Sequence, residues 1–326
     1  MLLFPPRACS FNGKTSVSKT EVPGSSPGGP AMTLAFEKDV ELAPFTTYKI
    51  GGKADYFFTA KNKKDLIDVV SYAKDKKLPF FILGTGANIL IGDKGFQGLV
   101  IHNKVSNFRF DVNFLIAESG AVVGDLIEAS LQKSLSGLEH FIGIPSSVGG
   151  AIRQNLHFLS PDRKETLFIE SIIENGLVLE GGDEKTVSRE YFQFGYDDSI
   201  LHHKDVIVLE MAFKLFPKDK RLIQEQIDAN LKWRQKKQPQ LSEFPSCGSV
   251  FKKIEGIGAG RLIEKAGLKG VKIGGAQVSE KHANYLVNLG NATAEDVRAL
   301  IRFIQERVQK ETGHLLEPEI GFIGEF

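Results

Sequence analysis

Cysteine is almost absent. The 326 residues contain only Cys9 and Cys247, too few for a disulfide framework, and no Cys/His cluster has zinc-ligand spacing. A reducing cytoplasm is the expected setting, and no metal is expected. Charge of one sign is also lacking: a formal net charge of +1 with 25% charged residues gives no electrostatic reason to expect nucleic acid or an anionic membrane as partner. A small anionic substrate stays open. No apolar run approaches the ~18 residues of a membrane span, and the start Met1-Leu2-Leu3-Phe4 is broken at once by Pro5-Pro6, so no secretory h-region is expected. The one Gly-x-Ser-x-Gly, Gly24-Ser25-Ser26-Pro27-Gly28, lies in a Pro/Gly/Ser-rich stretch with no apolar strand pattern before it, and none of the seven histidines stands in a nucleophile pattern, which leaves hydrolase chemistry without support. There is no internal repeat.

What is present begins with length, which suggests two or three domains at about 100 to 200 residues each. Residues 1–31 are rich in Pro, Gly and Ser and carry no apolar period, so they are expected to be a disordered leader, with Met32 as the working start. From Lys49 a strand, helix and strand follow. Ala54 to Thr59 is extended, Leu66, Val69, Val70 and Ala73 share one helical face, and Phe80 to Leu83 is a buried strand. This strand feeds Gly84-Thr85-Gly86-Ala87-Asn88-Ile89-Leu90-Ile91-Gly92, where glycines let backbone amides approach an anion closely. The dinucleotide fingerprint nevertheless fails. Ile89 fills its third glycine position, and Ile89-Leu90-Ile91 continues as an extended apolar run instead of a helix. A bare two-glycine turn is also common between strands, so the loop alone does not decide between a phosphate cradle and a structural turn.

A second region, residues 100–216, alternates short apolar runs with turns and has a short helix near Leu126 to Leu131. At its centre stands Gly143-Ile144-Pro145-Ser146-Ser147-Val148-Gly149-Gly150-Ala151, readable equally as a set of backbone donors or as a tightly packed loop. A third region opens with a helix bearing Ile223, Ile227, Leu231 and Arg234, stopped by Pro239. Further on, Thr293 caps a helix whose apolar positions are Val297, Leu300, Ile301, Ile304 and Val308. Gly313 ends it, and the tail reads as a last strand carrying Glu317 and Glu319 on one face. His202-His203 reads as a surface turn and Cys247 as an inert thiol.

Five segments taken together point to a family: Thr46-Thr47-Tyr48-Lys49-Ile50-Gly51-Gly52, Gly84 to Leu90, Gly143 to Ala151, Pro245-Ser246-Cys247-Gly248-Ser249-Val250-Phe251-Lys252, and Leu316-Glu317-Pro318-Glu319. In order and spacing the chain from about Phe45 onward resembles the UDP-N-acetylenolpyruvoylglucosamine reductases, in particular the subgroup without an extra substrate-gripping tyrosine loop. The resemblance implies an α+β fold: a two-part FAD-binding domain of the vanillyl-alcohol-oxidase type (residues 32–99 and 100–216), a C-terminal α+β substrate domain (217–312) and a strand returning to the FAD domain (313–326). It implies non-covalent FAD, with Gly84, Thr85, Gly86, Ala87, Asn88, Ile89, Gly143, Ile144, Pro145, Ser147, Val148, Gly149 and Gly150 binding the cofactor. No histidine lies between Gly84 and Gly92 to tether it. NADPH would reduce the flavin, whose N5 passes hydride to UDP-N-acetylglucosamine enolpyruvate in peptidoglycan precursor synthesis, and hence in cell wall biogenesis, cell shape and cell division.

The proton donor falls on Ser249, and the carboxyl group that stabilises the enol-like intermediate falls on Glu319. Lys252, Lys253 and Asn284 are candidates to grip the uridine diphosphate. One departure stands out. Where the family has Tyr-Arg, this chain has Tyr196-Asp197, and exchanging a cation for an anion beside a developing enolate costs several kcal/mol of transition-state stabilisation unless compensated. Arg153, in a loop that also departs from the family, is a candidate to supply the charge, its plainer reading being a solvent-facing residue. Asp197 keeps one alternative alongside the reductase, a flavin-binding homologue impaired in catalysis; a related FAD-dependent sugar or alcohol oxidase is another.

Overall fold

The computed structural model describes residues 22–23, 33–160, 165–254 and 256–326. The disorder expected for residues 1–31 lies almost entirely outside them. Within that stretch Val22–Pro23 pair antiparallel with Thr33–Leu34. Met1–Ala35 and Phe36–Phe326 form two separate compact units. Among the described residues no helix is long and apolar enough to cross a membrane.

The larger unit starts with strands β1 (Glu37–Glu41) and β2 (Lys53–Ala60), helix α1 (Lys63–Asp75), and strands β3 (Phe80–Leu83), β4 (Ile89–Ile91) and β5 (Phe96–Asn103). Asn62 caps α1 by accepting from the Asp65 amide at 2.9 Å, and the apolar face read from the sequence is the buried one: Leu66, Val69, Val70 and Ala73. That face covers a four-stranded sheet in the order β1-β2-β5-β3, parallel except at β1. β4 does not join this sheet. It pairs in parallel with the last strand of the chain, Gly321–Ile323, which is why an extended isoleucine stands where a dinucleotide fold would begin a helix.

The next stretch holds β6 (Phe108–Asp111), β7 (Phe114–Glu118), α2 (Val123–Gln132), α3 (Val148–Arg153), β8 (His157–Leu159), β9 (Thr166–Phe168), β10 (Ile173–Glu180), β11 (Asp183–Ser188) and β12 (Val206–Lys214). Its antiparallel sheet runs β11-β10-β12-β7-β6. β12 is central, so almost all of its side chains are buried and its sequence is continuously apolar instead of alternating. The apolar run from Leu167 to Ile173 divides into β9, a 3₁₀ turn at Ile169–Ile172 and the start of β10.

After α4 (Lys220–Lys237) and α5 (Ala259–Lys265), a small antiparallel sheet of β13 (Lys272–Ile273), β14 (Ala276–Val278) and β15 (Leu286–Asn288) packs against α6 (Ala294–Thr312), and β16 (Gly321–Ile323) closes the chain. α6 has the expected Thr293 cap, which Asp296 completes to a capping box, and ends at Gly313 in a left-handed conformation (φ 74°). Its buried residues share a core with Tyr48, Ile50 and Leu90 from the beginning of the unit. Polar ties reinforce that core: Tyr48 Oη donates to the Leu286 carbonyl at 2.9 Å, and Asp93 accepts from the Ala294 and Glu295 amides at the start of α6. Truncating a fully buried side chain here, such as Phe251, would cost about 3–5 kcal/mol. One expectation fails. The final strand begins at Gly321, so Glu317 and Glu319 precede it, and the proline between them makes an isolated bridge to Phe251.

Candidate active site and cofactor cradle

The two glycine segments, far apart in sequence, meet. Thr85 Oγ1 donates to the Pro145 carbonyl at 3.0 Å, and a Cβ added at Gly84 would stand 2.4 Å from Ser147 Oγ, so a side chain there would displace that hydroxyl from the Gly150 amide. Gly86 is left-handed (φ 63°) and presses on a second wall. Its carbonyl accepts from the Thr47 amide at 3.1 Å, and a Cβ there would lie 2.5 Å from the Phe45 carbonyl oxygen. The result is a partly buried turn whose amides at Thr85, Gly86, Ala87 and Asn88 donate to no described residue. The amides of Gly143, Ser146 and Ser147 are likewise uncommitted among the described residues.

The start of α3 behaves differently. Val148 and Gly149 donate to the Ala121 and Ser119 carbonyls at 2.9 and 2.7 Å, and Gly150 to Ser147 Oγ at 3.4 Å. Their hydrogens are therefore occupied, and these residues shape the wall without offering donors. Ile144 is committed to Phe141 at 3.1 Å. Ile89 has passed into β4. A row of free backbone donors suits a pyrophosphate, because buried N–H groups without partners are costly until an anion accepts from them.

A second cluster forms where three backbone segments lie side by side. Ser249 bridges Tyr285, Val250 donates to the Asn284 carbonyl at 2.9 Å, and the Val250 carbonyl accepts from the Glu319 amide at 2.8 Å. Ser249 and Glu319 are thereby brought together across 70 positions, and the Ser249 hydroxyl bonds to no described residue. Burial raises the Glu319 carboxyl to about 8, helped by the negative charge of Asp197 and opposed by Lys252. Glu317, by contrast, has 70% of its side chain exposed and faces Lys252 at 3.6 Å. The two glutamates do not share a face, since the chain makes no regular strand there.

Other candidates sort themselves by their bonds. The Asn284 side chain accepts from the Phe251 amide at 3.0 Å and donates to the Phe251 carbonyl at 2.9 Å, so it staples the backbone and is not free to grip a ligand. Cys247 is buried, which pushes its thiol far up and keeps it unreactive. His203 pairs with Asp198 on an exposed turn. Arg153 donates to the Leu201 carbonyl and feels the charge of Asp198, not that of Asp197; its charge is engaged away from the cluster.

Two contributors, Arg234 and His157, escape the sequence reading, and they stand with Asp197. Arg234 lies against Gly143, where a Cβ would come 3.0 Å from its Nε, and its guanidinium, facing Tyr285, has no acidic partner among the described residues. A charge on the apolar stripe Ile223, Ile227, Leu231, Arg234 was the available signal. Asp197 carries a buried carboxylate with neither oxygen hydrogen-bonded among the described residues. His157 approaches it to 3.4 Å from β8.

Comparison with known proteins bears on this arrangement. Residues 54–187 match a family described as FAD binding domain, and residues 238–323 match the UDP-N-acetylenolpyruvoylglucosamine reductase C-terminal domain. The chain is 39% identical over 294 residues to the UDP-N-acetylenolpyruvoylglucosamine reductase of Caldicellulosiruptor bescii, covering 90% of this chain and 92% of that protein. The chain belongs to the UDP-N-acetylenolpyruvoylglucosamine reductase family. A second reductase, from Exiguobacterium sibiricum, is 40% identical over 285 residues, covering 87% of this chain and 91% of its own length. The crystal structure of UDP-N-acetylenolpyruvylglucosamine reductase from Thermus caldophilus superposes with a TM-score of 0.73 at 30% identity, over 89% of this chain and 99% of that one. The α+β fold expected for a reductase of this family, an FAD-binding region followed by a C-terminal domain, agrees with both matches.

Proposed function

We propose that this family member reduces the enolpyruvyl ether of UDP-N-acetylglucosamine to UDP-N-acetylmuramate, with NADPH as reductant and non-covalent FAD, in peptidoglycan precursor synthesis. The observation that carries the reading is the row of uncommitted amides from Thr85 to Asn88, set against those of Gly143, Ser146 and Ser147. The FAD pyrophosphate would be held there, with Gly84, Gly86, Pro145, Val148, Gly149 and Gly150 shaping the wall. When bound, FAD supplies hydride transfer from NADPH to the enolpyruvyl double bond. We assign residues 32–99 and 100–216 to FAD binding, 217–312 to substrate and 313–326 to the returning segment, and we place the enzyme in the cytoplasm, where NADPH and nucleotide sugars are found.

Adding hydride to one carbon of the double bond leaves negative charge on its neighbour and on the adjoining carboxylate. Ser249 gives the proton that the neighbouring carbon needs. A serine hydroxyl is a poor acid in water, yet over hydrogen-bond distance in a closed site it has only one proton to pass to a carbanion. Glu319, kept protonated by its surroundings, donates a hydrogen bond to the enol-like oxygen. Arg234, a cation without an acid, balances charge on the anionic substrate. The test is anaerobic: reduce the purified yellow protein with NADPH, add UDP-N-acetylglucosamine enolpyruvate, and follow the return of flavin absorbance. Reoxidation with formation of UDP-N-acetylmuramate is expected, and a flavin that stays reduced refutes the proposal.

A further inference from the structure

We propose that Tyr48 is a positioning residue for the proton step: it ties the glycine turn that seats FAD to the backbone that carries Ser249. The inference deepens the function above and rests on the role given there to Ser249.

The tie begins in one peptide unit. The Gly86 carbonyl and the Ala87 amide belong to the same planar group, so an anion accepted by the Ala87 amide fixes the direction of the Gly86 carbonyl. That carbonyl is doubly engaged, by the Thr47 amide at 3.1 Å and by Thr47 Oγ1 at 3.3 Å. Tyr48 follows directly in the chain. It is fully buried, in a core shared with Cys247, Val250, Phe251 and Leu286, and it holds the substrate region at two points. Its hydroxyl donates to the Leu286 carbonyl at 2.9 Å, and its own carbonyl accepts from Asn288 Nδ2 at 3.1 Å. These bonds span 238 and 240 positions of sequence, so no local element requires them; they exist only to fix one region against the other.

From β15 the serine is one step away. Tyr285, next to Leu286, bridges Ser249, and the Asn284 carbonyl accepts from the Val250 amide at 2.9 Å. The Asn288 amide donates to the Pro245 carbonyl at 2.8 Å, so segment 245–251 is held to β15 and its approach at both ends. A second connection to the same turn runs through the last strand: Gly321 donates to the Asn88 carbonyl at 3.0 Å, and Glu319 to the Val250 carbonyl at 2.8 Å. Loss of the Tyr48 hydroxyl therefore loosens the Ser249 backbone without releasing it.

A phenol suits this position. Its ring fills the core while its hydroxyl makes a single polar contact. Burial, and then the neighbouring Cys247 thiol, hold that hydroxyl far above its ordinary range, so it keeps its proton and remains a donor. The precision matters because Ser249 passes its proton over hydrogen-bond distance, where a misplacement of about 1 Å costs up to about 10²-fold in rate.

Tyr48→Phe tests the tie, by stopped flow and by amide hydrogen exchange of the full chain with and without FAD. In the wild type, FAD should slow exchange at residues 85–88 and also at residues 284–288, the latter by about fivefold or more, the lower end of ordinary coupling between sites. In Tyr48→Phe the slowing at 85–88 should persist and that at 284–288 should vanish. Bleaching of the flavin by NADPH should keep its wild-type rate, whereas reoxidation by UDP-N-acetylglucosamine enolpyruvate should slow about tenfold or more. A hydroxyl that only stabilises the core would raise exchange equally with and without FAD and leave both half-reactions unchanged. That result overturns the proposal, as does reoxidation at the wild-type rate in Tyr48→Phe. A wild type whose residues 284–288 exchange alike with and without FAD overturns it too, and needs no variant. The expected exchange pattern in a wild type whose flavin the enolpyruvyl substrate does not reoxidise would uphold the tie and refute the reductase reading, so the two fail separately.

Discussion

Gly86→Ala tests the cradle by one methyl group. The added Cβ would stand 2.5 Å from the Phe45 carbonyl oxygen and 2.9 Å from Thr46 Cα, both backbone atoms, on a segment held by the Thr47 amide bond to Gly86 itself. Placing alanine at φ 63° costs about 1–2 kcal/mol, and pushing two backbone segments apart adds about 1–3 kcal/mol. A loss of about 3 kcal/mol follows, visible as a fall of about 6 °C or more in Tm. The displaced Thr85 to Asn88 amides should also weaken FAD binding at least tenfold, a change of about 1.4 kcal/mol. Gly124→Ala is the internal control. It makes the same chemical change in α2 at ordinary φ, with Val122 Cγ1 the nearest atom at 4.0 Å, and should be neutral or stabilising by up to about 1 kcal/mol. The assays are flavin content on purification, a fluorescence titration of FAD and differential scanning calorimetry. A Gly86→Ala protein that purifies fully yellow with the wild-type Tm would refute the reasoning, as would a Gly124→Ala that falls as far.

Ser249→Ala should leave NADPH-dependent bleaching of the flavin at its normal rate while lowering product formation by about 10²-fold or more; stopped-flow measurement of the two half-reactions separates them. Asp93→Ala should lower stability by about 1–2 kcal/mol, because a carboxylate accepting two amides at a helix start is lost. The Thr293/Asp296 box should preserve α6, so circular dichroism should hold while the urea midpoint falls. His102, packed against Phe45 and Phe57, is pushed down from 6.5 to about 4 by burial and then by Lys104. Above 6.5 its ring is neutral in folded and unfolded chains alike; between there and about 4 only the unfolded chain takes up the proton, so the wild type loses stability as pH falls through that window. His102→Gln should escape this loss, its stability relative to wild type improving by about 2 kcal/mol from neutral pH to pH 4 after allowance for solvent screening. Urea denaturation at a series of pH values reads the difference.

Local signals were legible wherever one element settles its own structure. The faces of α1 and α6, the Thr293 cap and the Gly313 stop follow from spacing and capping chemistry that act within a few residues. So did the failure of the dinucleotide fingerprint, because an isoleucine in the third glycine position is a local fact. Placing Glu319 on one face with Glu317 requires a strand across Pro318. Alternation holds only where a ladder forms, and here the ladder waits until Gly321.

The sequence by itself determined the two glycine turns, the hydroxyl and carboxyl candidates, and the departure at Asp197, since each is a matter of residue type at a position. Only the tertiary structure decided which amides of those turns stay free, because Val148 and Gly149 give theirs to carbonyls some 30 positions or less away and Gly150 to the Ser147 hydroxyl, and Thr85 to Asn88 do not. It also decided the electrostatics. Desolvation and charge coupling depend on what packs around a group in three dimensions, so the neighbours that set the protonation of Glu319, namely Asp197 from one turn and Lys252 from another, are joined by no spacing that the linear chain displays.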